Sequence, residues 1–547
     1  MTLILNGQTA GYKISGQIFD SQGQPLPGAT VRILNTTNGT VSGARGEYTL
    51  EVKRQDIFTV EISSIGFEKI IKTVEVKSLK TELSFQLEEK ISELNEVVIE
   101  AKSEGQQLAL SAKSVQVIET LRAKLLSADM GMILTRSEGV NVQRSGGLGS
   151  GVRFSLNGLS GEQIRFFHND IPLDFTPYSS GFADIPVNLI DRVEIYKGVV
   201  PLKFGADALG GAVNLVSPGP DSHRDDGFGG TVSFQYGSFN THRASGYINY
   251  ANKQTGLFVA AGGFYDYTDN NYEIDAIIAN ERGQPMQDTV ERFNDAYQAY
   301  GGNVKLGIRN KTWAKELSLE AYYGDTDNEI QNSLQPGLVD EPALGINEAV
   351  AGPPLGDLRF TIFSEGLNLR YKAGDSEKAA SWNYDLTAGY NYNERISIDT
   401  SRNLYNWRGE VVRVKNIPGE FGSAEHLVTK SESVFARQLI GYNFSDDHSV
   451  QFVIAPTYTF RTADDLLISG DFDPALDDGY LLNFVSGLEH NSVWLDERLQ
   501  NIAFVKYYHQ GLRLESLDQS LQTTRTDERT ENNYGAGNAL KYDWSDR

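Results

Sequence analysis

Hydrophobic and polar positions along the chain fall into three successive regimes. From residue 12 to about 90 they alternate at period two between turn signals. Ile14, Gln17-Ile18-Phe19, Val31-Arg32-Ile33-Leu34, Tyr48-Thr49-Leu50 and Val60-Glu61-Ile62 read as short strands, and Asp20 to Gly23, Asn38-Gly39 and Arg45-Gly46 read as turns. That spacing predicts a small β-sandwich. From Val115 the period changes. Val117, Leu121, Leu125, Met132, Ile133 and Leu134 suggest helical turns, with a helix starting near Ser127 and stopped by Gly139. Strands at Val140 to Val142, Val152 to Leu156, Ile164 to Phe167, around Val193 and Ile195, and at Ala212 to Val216 predict a mixed α/β domain. A glycine-rich loop, Arg144 to Gly151, and turn clusters at Lys197-Gly198 and Gly205, Gly210 and Gly211 punctuate it.

Beyond residue 228 the alternation becomes long and regular. Leu317, Leu319, Ala321 and Tyr323 alternate with Ser318, Glu320 and Tyr322. Tyr384, Leu386, Ala388, Tyr390 and Tyr392 alternate with Asn383, Asp385, Thr387, Gly389 and Asn391. One apolar and one polar face is what a wet lumen inside lipid demands. Short connections near Asn252 to Gly256, Asn310 to Lys315, Ala373 to Ala379 and Ser445 to His448 alternate with long ones at about 268–295, 326–358, 397–430 and 464–492. That segregation predicts an antiparallel transmembrane β-barrel of about twelve strands. A plugged transporter barrel has about 22, so the chain reads as part of a longer protein.

Three stretches carry a family resemblance. Ile185 to Pro218, IPVNLIDRVEIYKGVVPLKFGADALGGAVNLVSP, resembles the C-terminal half of the plug domain of TonB-dependent outer-membrane receptors, and SADMGMILTRSEGVNV is similar to that plug's opening. SGQIFDSQGQPLPGATVRILNTTNGTVSGARGEYTLEV is similar to carboxypeptidase-regulatory-like domains of transthyretin type. It has no zinc-ligand set, since the first histidine of the chain is His168. ISELNEVVIEAKS, residues 91–103, is a β-prone run between charged flanks, able to add to a partner's sheet edge. It resembles a TonB box, which assigns TonB binding to Leu94, Asn95, Glu96, Val97, Val98, Ile99, Glu100 and Ala101. The plug departs from the family pattern in carrying Asn157 at a usual arginine, Asn169-Asp170 for a common Asp-Gly, and Lys197 where arginine is frequent. Charge contacts between plug and barrel wall should differ accordingly.

The resulting organisation is a signal-peptide remnant or plain N-terminal extension at 1–11, a β-sandwich at 12–90, a TonB-box linker at 91–103, a plug at 104–220 and a partial barrel at 221–547. In fold class the chain is mainly β. Two plug loops could meet a ligand, and Arg144, Phe175 and Tyr178 have the mix of donor and aromatic surface that small-ligand sites use.

Composition trims the alternatives. No apolar run reaches the length of a membrane helix, and mean hydropathy is −0.35. A formal charge of −23 argues against nucleic acid as a partner. Without cysteine there is neither a disulfide framework nor a thiol nucleophile. The seven histidines lack metal spacing and read as loop or lumen residues. Asp464, Asp465, Asp471, Asp473, Asp477 and Asp478 lack the EF-hand spacing and read as a solvated loop. No cofactor and no enzymatic reaction is expected. The resemblance implies TonB-dependent import of a scarce extracellular solute, a ferric siderophore or similar iron complex first, an oligosaccharide or cobalamin otherwise. Its partners would be the TonB complex, a small-molecule ligand and outer-membrane lipid, with room for a surface lipoprotein. A surface-binding protein without transport is the alternative of a different class.

Overall fold

The computed structural model describes residues 12–544 apart from 22, 35, 37, 53, 65–66, 89–114, 121–128, 184, 199, 206–209, 220–225, 280–283, 331–337, 340–349, 352–355, 375–378, 421–423, 468–477, 496–497, 519–522 and 543. The chain divides into two compact units, Met1–Ala101 and Lys102–Arg547.

The first unit is built on two four-stranded sheets. Strand Tyr12–Phe19 pairs antiparallel with Glu47–Val52 and parallel with Lys80–Glu82 and Phe85–Gln86. Thr30–Ile33 lies between Gly39–Val41 and Ile57–Ser63, and Ile70–Glu75 completes that sheet. The period-two pattern is fulfilled: Glu47–Val52 alternates exposed and buried at every residue. Ile14, Ile18, Val31, Leu50, Val60 and Ile62 fill the space between the sheets.

In the second unit the plug comes first. Its five-stranded sheet runs in the order Ile171–Pro172, Ile164–His168, Gly211–Val216, Arg192–Lys197, Val115–Glu119, and a three-stranded sheet joins Val140–Arg144, Val152–Leu156 and Leu159–Ser160. Two details correct the sequence reading. Val115–Glu119 is a strand paired with Arg192–Tyr196, not the start of helical turns, because its β-branched Val115, Val117 and Ile118 suit a sheet edge. The helix is the short Met130–Leu134, capped by Asp129, whose side chain accepts from the Met132 amide at 2.7 Å. Leu121, Leu125 and Ser127 lie outside the described residues.

The rest is one twelve-stranded antiparallel sheet from Gly227–Gly237 to Thr523–Tyr542, each strand beside its neighbour in the chain apart from hairpins inserted in the long connections. Burial inverts the usual rule. Along Glu316–Glu329, polar Ser318 and Glu320 are buried and Leu319 is exposed. The apolar face is turned outward to lipid and the polar face inward. Trp313, Trp382, Phe444 and Trp494 ring the end with short connections, and Tyr300, Tyr323, Tyr390 and Tyr458 lie exposed nearer the other end. Amphipathic rings are favoured at both membrane boundaries. The stretch 464–492 is not a long connection: Asp478–Trp494 is a strand, paired with His448–Arg461 and Leu499–Glu515. Adjacent Leu481 and Leu482 hide its alternation.

Candidate functional site

The site is the seam between the plug and the inner face of the sheet. Strand Ile164–His168 turns back at Asn169-Asp170 into Ile171–Pro172, with His168 opposite Ile171. Both turn residues have positive φ, 53° and 66°. That conformation matches the twist of a two-residue hairpin, and Asn and Asp tolerate it. The turn aims Asp170 at the wall. Its carboxylate meets Lys203 at 3.0 Å and Arg370 at 3.1 Å, and accepts from Asn214 at 3.0 Å. Its carbonyl accepts from Arg437 at 2.7 Å. Burial opposes ionisation of Asp170, but Lys203, Arg370, Arg437 and Lys372 outweigh it and hold the carboxyl well below the usual carboxylate range. Behind it, buried Glu194 accepts from Arg192, Tyr196 and Asn214 at 2.9, 2.9 and 3.0 Å. Sequence reading flagged Asn169-Asp170 but missed Glu194, Arg370 and Arg437. The available signal was a carboxylate between Val193 and Ile195, and arginines at inward positions of alternating strands.

Elsewhere the wall grips the plug's main chain. Asn368 donates to the Phe175 carbonyl at 2.9 Å, Lys506 to Val200 at 3.2 Å, Asn270 to Leu148 at 2.8 Å and Asn328 to Gly149 at 3.1 Å. Gly324 lets the plug come close, since a Cβ there would lie 2.3 Å from the Pro177 carbonyl oxygen. An apolar patch adds Tyr247 and Ala260 of the wall to the plug core around Ile133, Leu156 and Val213.

Of the residues assigned from sequence, Phe175 and Tyr178 are both buried on this seam. Phe175 packs on Phe435 at 4.4 Å between ring centroids, and Tyr178 on Phe264 and His168, both at 5.3 Å. Arg144 ends strand Val140–Arg144, donating to the Gly147 carbonyl at 3.3 Å and standing 3.6 Å from Asp129. His168 corrects the expectation of loop or lumen histidines. It is buried, bonded to Ser217 at 2.7 Å, and pushed down to about 4 by burial and by Lys305. Leu94 to Ala101 lie outside the described residues. Among the described residues no cluster of His, Cys, Asp and Glu could hold a metal ion.

Residues 14–99 match the model of the CarboxypepD_reg-like domain, and residues 108–212 match that of the TonB-dependent Receptor Plug Domain. The chain belongs to the TonB-dependent receptors of the outer membrane. The receptor is 28% identical over 202 residues to the vitamin B12 transporter BtuB of Vibrio vulnificus, covering 36% of this chain and 32% of that protein. Its fold is similar to that of the copper transporter OprC, with a TM-score of 0.57 at 14% identity, covering 80% of this chain and 63% of the other. It is also similar to the ferric yersiniabactin uptake receptor FyuA of Yersinia pestis, with a TM-score of 0.51 at 14% identity and the same coverage. The chain thus spans about a third of the curated relative and less than two thirds of these solved structures.

Proposed function

We propose that this receptor imports a scarce extracellular solute by TonB-dependent transport, with a ferric siderophore or similar iron complex as cargo. The observation that carries the reading is the seam: a folded plug seated on a polar wall through main-chain acceptors and one ionic cluster at Asp170. Such contacts exchange readily for water, so the plug is an obstruction that work can shift. In this reading the solute binds at the mouth, where Arg144 is the plug's ligand-facing residue and Phe175 and Tyr178, packed on the wall, brace the neighbouring loop from behind. TonB pairs with Leu94 to Ala101, and its pull rearranges the plug. A second cargo, cobalamin, is supported by the sequence match to the vitamin B12 transporter.

The test uses the full-length gene in its native host. Labelled ferric-siderophore and cyanocobalamin uptake are compared in wild type, gene deletion and a strain lacking residues 94–101. Import predicts that the short deletion abolishes uptake while the cells still bind the solute at their surface. Loss of cyanocobalamin uptake alone selects the second cargo. Binding with no uptake in wild type would make this a surface-binding protein instead.

A further inference from the structure

A cavity of about 370 Å³ opens on the inner face of the sheet, toward the end with long connections. It is lined by Phe360, Asn393, Arg395, Ser397, Leu427, Thr429, Ser431, Thr459 and Arg461. The register explains why these side chains converge. Asn393, Arg395 and Ser397 stand opposite Ser431, Thr429 and Leu427, and Ser431 in turn stands opposite Arg461. All share the parity of buried Asn391 and Ser433, the wall's inward face. The plug lies beside it, for Asn393 donates to Ser179 at 3.5 Å.

The charge of the lining is the informative part. In a chain of net charge −23, this cavity carries two arginines and, among the described residues, no carboxylate. Arg395 uses only its Nε, toward Asn393 at 3.2 Å. Neither guanidinium has an ion-pair partner among the described residues. The inward-facing acids further along the same strands are already engaged: Asp399 accepts from the Glu420 amide at 2.6 Å, and Asp465 from those of His426 and Leu467 at 3.1 and 3.0 Å. The arginines sit on strands separated by one other and are offset by two residues, which puts their Cα atoms roughly 11–12 Å apart. Two planar forks at that spacing, with hydroxyls and an amide between them, suit a solute bearing more than one oxyanion and several hydroxyl groups. Phe360 and Leu427 supply the apolar surface that a carbon skeleton needs.

We infer that this cavity is an anion-binding subsite of the receptor's wall, and that the cargo carries carboxylate or phosphate groups. The inference deepens the import reading and rests on it for calling the solute a cargo. Its test needs no energy coupling. The purified full-length receptor is titrated calorimetrically with citrate, inorganic phosphate and neutral maltotetraose, at low and high salt. The expected result is binding of citrate or phosphate that weakens with salt and falls about tenfold or more in Arg395→Gln/Arg461→Gln. Arg395→Lys/Arg461→Lys should restore part of it, charge being kept and the fork lost. Equal oxyanion affinity in wild type and the double Gln variant would overturn the assignment. So would no oxyanion binding by a receptor shown by circular dichroism to be folded. If citrate binding behaves as expected while the strain lacking residues 94–101 still takes up solute, the import reading fails and the subsite stands.

Discussion

Asp170 shows how one side chain can hold a moving part in place. It sits at the tip of a hairpin in a conformation few residues accept, and cations from both plug and wall converge on it. Asp170→Asn keeps the size and removes the charge, leaving Lys203 and Arg370 without their shared partner. The expected cost is about 3 kcal/mol of stability at neutral pH, read as a lower unfolding midpoint. The pH dependence follows from the direction of the shift. The folded carboxyl is held well below its unfolded value, so its contribution is complete above the unfolded value and fades as pH falls toward the folded one. The gap between wild type and variant should therefore stay constant from neutrality down to about pH 4 and close only below that. Sequence reading reached the Asn169-Asp170 turn as a departure with consequences for wall contacts. It could not reach Arg370 and Arg437, which are 200 and 267 residues away; only the strand register brings them to the turn.

Among elements, the long strands were legible wherever alternation was strict, as at Leu317 to Tyr323 and Tyr384 to Tyr392. It failed where a strand's inner positions meet the plug and accept apolar or small side chains. Gly487 within Asp478–Trp494 is one, where an added Cβ would touch Leu202. The plug strand Val115–Glu119 escaped for another reason: its pairing with Arg192–Tyr196 is a tertiary choice that local periodicity does not record. The lipid face gives this scale its test. Leu367 is exposed near the middle of strand Arg359–Gly374, and Trp382 is exposed beside a short connection. Leu367→Arg should destabilise the receptor in bilayers by about 2–4 kcal/mol and Trp382→Arg by about 0–1 kcal/mol, measured as unfolding midpoints in denaturant. Equal effects would mean the alternation does not track depth in lipid.

At the scale of the molecule, each unit encloses its own core: Ile14, Leu50 and Val60 in the first, Ile133, Val193 and Val213 in the second. Deleting residues 12–88 should leave the thermal unfolding of the second unit unchanged. A lowered midpoint would reveal a stabilising dependence between the units. The change of period after the first unit was legible along the chain, whereas the seat of the plug was not, its wall donors lying up to 306 residues from the carbonyls they hold. That seat holds Leu148 and Val200 by their carbonyl oxygens, and it holds Phe175 and Gly149 by carbonyl and packing together, Phe175 on the Phe435 ring and Gly149 close against Tyr297. A peptide carbonyl is the same whatever side chain follows it. Where the wall takes only a carbonyl, at Leu148 and Val200, the plug is free to drift in sequence as far as its own packing allows, and the selective burden falls on the donors Asn270 and Lys506. A foreign side chain at 148 should dock as the native one does, whereas Phe175→Ala should loosen the seam, so recognition can diversify on one side without renegotiating the other only where a carbonyl alone is held.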